Sequence, residues 1–436
     1  MSIATPSQST TVSPDSSSSY TGPLAVVTTL FFMWGFLTCL NDILVPHLKP
    51  IFDLDYAEIM LIQFAFFGAY FLFSIPSAKI IDWIGYQRSM VVGLLTMGLG
   101  AFLFVPAASV PSYPLFLIAL IVLAAGITCL QVAANPYVTV LGKAKTASSR
   151  LNLTQAFNSL GTFLAPFFGG LLILSTAPKS MEEIRAMAPA ALQSYRLHEA
   201  ATVKAPYVGL GIALVVLAVA IGSFKLPKIP QAQHKVGEKV NDSIWRHPNL
   251  IFGAIGIFVY VGAEVAIGSF LVNYFTQPEI GGLTEKVAAS FVAFYWGGAM
   301  VGRFIGSGLL QKMKTGHLLG ICAVCAAALV TLSMLSTGHF AMWSIILVGF
   351  FNSIMFPSIF TLGVAELGPL TGDGSGIMIM AIVGGALIPL AQGAIADKIG
   401  IHHAFFLPVV CYLYILFFAL SGSKPNSQRH VQSHLG

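Results

Sequence analysis

The sequence predicts an all-α membrane protein with twelve transmembrane helices arranged in two six-helix bundles. Of its 436 residues, 56% are hydrophobic and only 9% are charged, whereas an ordinary soluble domain carries roughly a quarter charged residues. The apolar residues fall in long runs such as 24–45 and 59–81, and about twenty apolar residues suffice for a helix to cross the hydrocarbon core. The longest polar break between such runs, 226–248, divides the chain into six runs plus six.

Each predicted helix is an apolar run that ends at polar or turn-forming residues. A polar interruption marks the edge of a spanning segment because charged side chains and unpaired backbone groups are costly in lipid. The polar stretch 176–204 favours helix formation, and we expect a short helix outside the membrane there. In chain order, the predicted membrane helices are 24–45, 58–81, 89–108, 113–141, 151–175, 205–225, 249–275, 286–311, 316–336, 341–366, 373–396 and 402–421.

Polar segments flank and join the two bundles. The N-terminal tail is rich in Ser and Thr and has no Lys or Arg before the first apolar run, which differs from a cleavable signal peptide and indicates disorder. Most Lys and Arg fall on the side of the termini and the linker, so the positive-inside rule predicts cytoplasmic termini in a bacterial inner membrane. The predicted organisation is a tail 1–23, an N-terminal bundle 24–225, a cytoplasmic linker 226–248, a C-terminal bundle 249–421 and a tail 422–436.

Composition and motifs argue against several other classes of function. The net charge of +5 is spread over short loops and the linker, so we expect no nucleic-acid partner. The chain has no P-loop pattern and no His/Cys cluster with metal-ligand spacing; we therefore expect no enzyme, no ATP-driven pump, no bound metal and no cofactor. All five cysteines lie in apolar runs, where free Cys packs as a small hydrophobe.

Corresponding polar positions in the two halves indicate an internal repeat, which is typical of secondary transporters. Gln131 precedes Pro136 by five residues in the fourth predicted helix, and Asn352 precedes Pro357 by five in the tenth. The first and the seventh predicted helices each carry one acid in an apolar run. We therefore expect a solute carrier whose site lies between the two halves.

The two acids, Asp42 and Glu264, are the candidate coupling residues. An ionisable side chain inside a membrane helix costs at least about 2.5 kcal/mol on insertion scales, so each acid is a functional hypothesis. One interpretation is a structural anchor that pairs with Arg303 or with backbone groups. The other is a carboxylate that takes up and releases a proton as water access alternates between the two sides.

Amides and aromatic rings supply the chemistry that a sugar site needs, because a sugar presents hydroxyls and an apolar ring face. Asn152, Gln155 and Asn158 recur every three residues and form a stripe that must face the protein interior, since lipid would not satisfy it. Taken singly, an amide in a membrane helix hydrogen-bonds a neighbouring helix about as often as it binds a substrate. Besides Gln155 and Asn158, the candidate binding residues are Trp34, Asn41, Gln63, Gln131, Asn135, Asn273, Tyr295 and Asn352, with Tyr260 and Trp296 as further stacking surfaces.

A loop between the second and third predicted helices is the candidate gate. Its acid Asp82 and its base Arg88 resemble the signature loop of the major facilitator superfamily, in which an acid at a helix end pairs with a neighbouring helix in one access state. Ala78 replaces the usual glycine, so the match is partial. The alternative is that Asp82 is only a solvated helix end.

The polar segments resemble those of the fucose:proton symporter family within that superfamily. The resemblance implies a twelve-helix, two-bundle fold, a sugar bound near the middle of the membrane and transport by alternating access. The matching stretches are LNDIL from Leu40, LIQ from Leu61, AANPYVTVLG from Ala133, RLNLTQAFNSLG from Arg150, YVGAE from Tyr260 and FPSIFTLG from Phe356.

Two positions within this resemblance favour the glucose/galactose transporter branch. The fucose symporter uses an aspartate of helix one, which falls on Asp42, and a glutamate of helix four, which falls on Gln131 and cannot titrate here. Conversely, Glu264 stands where the fucose protein has glutamine, as in the glucose/galactose branch. The resemblance thus implies hexose uptake coupled to a cation, with Glu264 and Asp42 as the acids.

The predicted function is therefore a monomeric hexose:cation symporter whose partners are a monosaccharide and the lipid bilayer. Protons are the expected co-transported cation and sodium is the alternative. L-Fucose or N-acetylglucosamine are alternative substrates. Two further hypotheses come from other classes: a non-transporting membrane sugar sensor, and an exporter of hydrophobic solutes.

Overall fold

The computed structural model describes most of the chain, and most of the predicted tails and of the predicted linker lies outside its described residues. The predicted domain boundaries, which set the tails at 1–23 and 422–436 and the linker at 226–248, stay a prediction. Some side chains within described helices are also outside the description, among them those of 40–60 and 167–172. The described residues are 20–52, 56–109, 112–172, 183, 186–202, 204–228 and 242–425.

Helices and short turns make up the described part of the chain. The N-terminal half contains α1 (Thr21–Phe52), α2 (Tyr56–Ser109), α3 (Tyr113–Val140), α4 (Ala147–Leu172), α5 (Pro189–Thr202) and α6 (Lys204–Ser223). The C-terminal half contains α7 (Pro248–Phe275), α8 (Glu285–Lys312), α9 (Thr315–Leu335), α10 (Gly338–Asn352), α11 (Met355–Gly363), α12 (Thr371–Met380), α13 (Gly384–Ile399), α14 (Ile401–Ala404) and α15 (Phe406–Phe417).

These helices provide twelve membrane spans. Ten candidate spans are long and apolar enough, and one of them, Leu61–Ser109, is 49 residues long. At ~1.5 Å per residue it would extend for about 74 Å, more than twice the hydrocarbon thickness, and it bends at Gly85 (φ 82°, ψ 166°) into the second and third spans. Helix α4 adds the remaining span, whose apolar character is diluted by the polar stripe that begins at Asn152. The prediction of twelve helices in two bundles is confirmed.

Three predicted helices are not continuous, and the break in the tenth has a clear cause. Pro357 has no backbone N–H and cannot donate to the carbonyl of Ser353, four residues earlier; α10 ends at Asn352 and α11 begins at Met355. The eleventh span passes through a 3-10 turn, Ala381–Val383, between α12 and α13. The twelfth divides into α14, α15 and a π-turn at Phe418–Gly422. Hydropathy does not register such breaks.

Packing within each half leaves one face of several helices against the other half. In the N-terminal half, α2 packs on α3 and α6, and α1 packs on α4; in the C-terminal half, α7 packs on α13, α8 on α10, and α9 on α15. Between the halves, α4 packs on α8, and α12 packs on α2 and α3. The predicted helix outside the membrane corresponds to α5, which is mostly exposed.

Candidate functional site

Glu264 lies near the middle of α7 in a buried polar environment. Its side chain is 12% exposed, and its Oε1 lies 4.0 Å from Nη2 of Arg303 on α8. Tyr260, one helical turn earlier, donates a 2.8 Å hydrogen bond to the same oxygen. An acid and its hydroxyl donor therefore share one face of α7, because residues four apart lie above one another on a helix.

Three buried tyrosines connect Glu264 to the end of α10. The side-chain amide of Asn352 donates to the Tyr295 hydroxyl at 2.9 Å, and its Oδ1 accepts from Tyr412 at 2.8 Å. Tyr295 in turn donates to the Glu264 carbonyl at 3.3 Å. Tyr260 also lies 3.0 Å from the carbonyl of Asn352. Each of these tyrosines is at most 1% exposed, so the hydroxyls depend on one another for partners.

Arg303 extends this network to the other half of the molecule. Its Nε donates at 3.3 Å to the Ser353 carbonyl, the group that Pro357 leaves without a helical donor. Its Nη1 donates to the Ser159 hydroxyl on α4. The Arg303 carbonyl accepts a 2.7 Å hydrogen bond from Asn152, also on α4. One residue of α8 thus contacts the acid of its own half, the break in the tenth span and the opposite bundle.

Several predicted amides of the N-terminal half are buried or partly buried, but they face different partners. Gln131 donates to the Tyr70 hydroxyl at 2.7 Å, and Asn158 donates to the Phe31 carbonyl at 2.8 Å. Gln155 is 5% exposed. Asn135 is fully buried, and neither of its side-chain polar atoms has a hydrogen-bond partner in the described structure. Such an orphan amide is costly unless water or a ligand satisfies it.

The remaining candidates are more scattered. Trp34 is partly buried, with its ring 5.4 Å from that of Phe31. Gln63 is exposed, and so is Asn273, in the last turn of α7 and about 13 Å along the axis from Glu264. Asn41 and Asp42 belong to α1, but their side chains lie outside the described structure.

Two residues of the network have no counterpart among the predicted site residues. Ser159 directly follows Asn158 on α4. The three-residue spacing that identified the amides at 152, 155 and 158 therefore does not include it. Tyr412 lies in an apolar run that gives no sequence signal. Arg303 entered the sequence analysis only as a structural partner for an acid.

The two halves contact each other through polar groups at the end where α2 bends. Lys79 forms a 2.7 Å ion pair with Asp373 of α12 and lies 3.5 Å from Asp82. Asp82 is 5% exposed at its side chain, whereas Arg88 is exposed. Further bonds between the halves are Ser148 with Thr361 at 2.6 Å, Ser149 to the Ser307 carbonyl at 2.7 Å and Ser375 to the Val132 carbonyl at 2.8 Å.

The fold and the buried network between the halves define a multi-pass membrane transporter and not an enzyme. The profile described as Major Facilitator Superfamily matches residues 25–388, and the chain belongs to that superfamily. Its predicted resemblance to the fucose:proton symporters is confirmed by relatives with matching sequence and structure.

Two such relatives and one crystal structure cover nearly the whole chain. The glucose/galactose transporter of Brucella abortus biovar 1 (strain 9-941) is 52% identical over 409 residues, covering 94% of this chain and 96% of the relative. The L-fucose-proton symporter of Escherichia coli (strain K12) is 36% identical over 410 residues, covering 92% and 93%. A crystal structure of the E. coli fucose:proton symporter superimposes with a TM-score of 0.87 at 34% identity, covering 93% of this chain and 100% of that one.

Proposed function

We propose that this protein carries a hexose of the glucose/galactose type into the cell together with a proton, by alternating access. The similarity to a protein named glucose/galactose transporter, at 52% identity over 94% of the chain, supports the substrate class. The similarity to proteins named proton symporters supports the cation. We also propose a bacterial inner-membrane location, cytoplasmic termini and a monomeric state.

The observation that carries the proposal is the position of Glu264. It is an ionisable group in a membrane helix and lies beside Arg303. Arg303 in turn donates a hydrogen bond to Ser159 of the opposite half. A carboxylate in that place can exchange a proton with whichever side has water access, and its charge changes the balance of bonds between the halves. Gln131 lacks a titratable group, so we assign the coupling to Glu264, with Asp42 as the second acid.

Buried amides supply the sugar-binding chemistry in this proposal. Asn135 has unused donors and acceptors, Gln131, Gln155 and Asn352 are buried, and Asn158 is partly buried. Sugar hydroxyls both donate and accept hydrogen bonds, so they match side-chain amides. No bound cofactor enters the mechanism.

Transport by the purified protein in proteoliposomes tests the proposal. An imposed inward proton gradient should drive uphill accumulation of labelled glucose or galactose, and a sodium gradient should not. Counterflow against unlabelled glucose, galactose, L-fucose and N-acetylglucosamine identifies the substrate. Sugar binding without any flux would instead support the membrane sensor hypothesis.

Replacement of Glu264 tests its role. Glu264→Gln should abolish uphill accumulation while counterflow persists, because the amide keeps the size and hydrogen bonds but cannot titrate. Glu285→Gln, at an exposed acid in the first turn of α8, is the matched control and should accumulate sugar normally. Full accumulation by Glu264→Gln would exclude this acid as the coupling group.

A further inference from the structure

Arg303 is shared between groups that compete for it. Its guanidinium donates to Ser159 in the N-terminal half and to the Ser353 carbonyl in its own half. The carboxylate of Glu264 lies 4.0 Å from Nη2, beyond the usual 2.7–3.2 Å of an N–H···O hydrogen bond. In this structure Arg303 is therefore hydrogen-bonded to the opposite bundle and not to the acid.

Tyr260 faces a second competition. Its single hydroxyl proton has two acceptors, Oε1 of Glu264 at 2.8 Å and the Asn352 carbonyl at 3.0 Å. When Glu264 is ionised, the charged oxygen takes the proton, because charge-assisted hydrogen bonds are roughly twice as strong as neutral ones. When Glu264 is protonated, its own O–H can donate to Tyr260, and the tyrosine proton is free for Asn352.

Both competitions end at the same break in the tenth span. The Tyr260 hydroxyl reaches the carbonyl of Asn352, and Arg303 reaches the carbonyl of the next residue, Ser353. These carbonyls lie where α10 gives way to α11, and the 3.3 Å donation from Arg303 replaces the helical bond that Pro357 cannot make. A change of charge on Glu264 therefore redistributes donors at the break and at the contact with α4.

We propose that Arg303 is the positioning residue through which the charge of Glu264 controls the contact between the two halves. With Glu264 protonated, Arg303 holds Ser159 and the halves stay joined along α4 and α8. With Glu264 ionised, the guanidinium moves toward the carboxylate and releases Ser159. This inference rests on the proposed function, in which Glu264 is the coupling acid.

Few other charged or titratable groups surround this pair. In the described structure, the groups that act on Glu264 or on its tyrosine neighbours are Arg303, Tyr260, Tyr295, Tyr412 and, through Tyr412, Cys411. Ser159 and Asn152, which face Arg303 from α4, do not titrate. The pH response of the contact between α4 and α8 is thus assigned to Glu264.

The test compares serines that bond across the same two helices. Ser159→Ala removes the hydroxyl to which Arg303 donates. The guanidinium can then move to the Glu264 carboxylate, where it stabilises the ionised form of the acid. We expect the external pH that gives half-maximal proton-driven uptake to fall by about one unit, the size expected for one charge-assisted hydrogen bond. Ser159→Thr keeps the hydroxyl and should restore the wild-type midpoint.

Ser149→Ala is the matched control. Ser149 also donates from α4 to α8, at 2.7 Å to the Ser307 carbonyl, without touching Arg303. Its loss should change the rate of uptake and leave the pH midpoint unchanged. Counterflow in every variant establishes that the protein is folded and binds sugar; if Ser159→Ala fails this criterion, Arg303→Lys provides the test, with a midpoint displaced from that of the wild type.

The outcomes separate the inference from the proposed function. If Ser159→Ala keeps the wild-type midpoint, or if Ser149→Ala shifts it equally, Arg303 has only a structural role and the inference is overturned. In that case Glu264→Gln still abolishes accumulation and the proposed function stands. Full accumulation by Glu264→Gln, or accumulation that follows sodium alone, would overturn both.

Discussion

Lys79 and Asp373 form a 2.7 Å ion pair that joins the bend of α2 to the start of α12, and so joins the two halves of the transporter. Lys79 also lies 3.5 Å from Asp82, the acid of the candidate gate. Lys79 therefore contacts two carboxylates, Asp82 of its own helix and Asp373 of the other half. Because Lys79 is 49% exposed, the pair alone contributes about 0–1 kcal/mol.

This arrangement predicts an asymmetry between its members. Lys79→Ala removes the cation that Asp82 and Asp373 share, whereas Asp373→Asn leaves the pair of Lys79 with Asp82. We expect Lys79→Ala to open this end of the bundle more than Asp373→Asn does. In the Lys79→Ala variant, a cysteine introduced at Ala147 should be alkylated about fivefold faster than in the otherwise wild-type protein.

The labelling is done in a background that lacks the five native cysteines. Lys145→Ala, at an exposed lysine of the same end, is the control and should leave the labelling rate unchanged. Equal rates for Lys79→Ala and Asp373→Asn would contradict the shared-lysine arrangement.

The bend of α2 predicts an effect on stability at Gly85. Its φ of 82° with ψ of 166° belongs to a region that is essentially restricted to glycine, and another residue there costs about 1–3 kcal/mol. Gly85→Ala should therefore lower the unfolding temperature in detergent. Gly68→Ala, in the same helix and with nothing within 4 Å of an added Cβ, should have no effect or raise it. A drop at Gly68 as large as that at Gly85 would argue against the bend.

The tyrosine network predicts that Asn352 is structurally expensive to remove. Asn352→Ala leaves the Tyr412 hydroxyl without its acceptor and Tyr295 without its donor, and orphaning a buried polar group costs about 1–3 kcal/mol. The unfolding temperature should fall by several degrees. The control is Asn273→Ala, at an exposed amide, which should change the free energy of unfolding by no more than about 0.5 kcal/mol. An unchanged unfolding temperature for Asn352→Ala would refute the network.

A close approach between α8 and α10 predicts a strict size limit at Gly349. A Cβ at this position would overlap the Tyr295 carbonyl oxygen and lie 3.0 Å from the Tyr295 ring. Gly349→Ala must push α10 away from α8 and displace Tyr295 from Glu264. We therefore expect a lower unfolding temperature. Counterflow should be at least about tenfold slower, because binding sites are sensitive to displacements of ~1 Å. Gly308→Ala on α8, which meets nothing within 4 Å, should transport normally; normal transport by Gly349→Ala would contradict the close contact.

The two acids and the amide positions were visible in the sequence for a simple reason. Ionisable and amide side chains are rare in apolar runs because lipid penalises them, so Glu264 and Asn352 stand out without any knowledge of the fold. The connection of Glu264 to Asn352 through Tyr295 and Tyr260 could not be predicted from the sequence. Tyrosine is common at interfaces and in cores, and its spacing does not indicate which hydroxyl finds which partner.

The gate illustrates a similar division. The acid Asp82 at the end of a helix was predictable from the loop pattern, but the ion pair of its neighbour Lys79 with Asp373 of the other half, 294 positions along the chain, was not. The continuous tenth helix was predicted wrongly because a hydropathy average is blind to a single missing N–H at Pro357. That same proline produces the free carbonyl to which Arg303 binds.

The sequence by itself determined that this protein spans the membrane twelve times in two bundles and carries an acid in the seventh helix, because the cost of polar groups in lipid acts locally on each run of residues. Only the tertiary structure decided that Glu264, Arg303 and Ser159 form one chain of contacts between the halves. Side-chain partners across helices depend on helix rotation and close approach, as at Gly349, and these are set by packing between segments far apart in sequence.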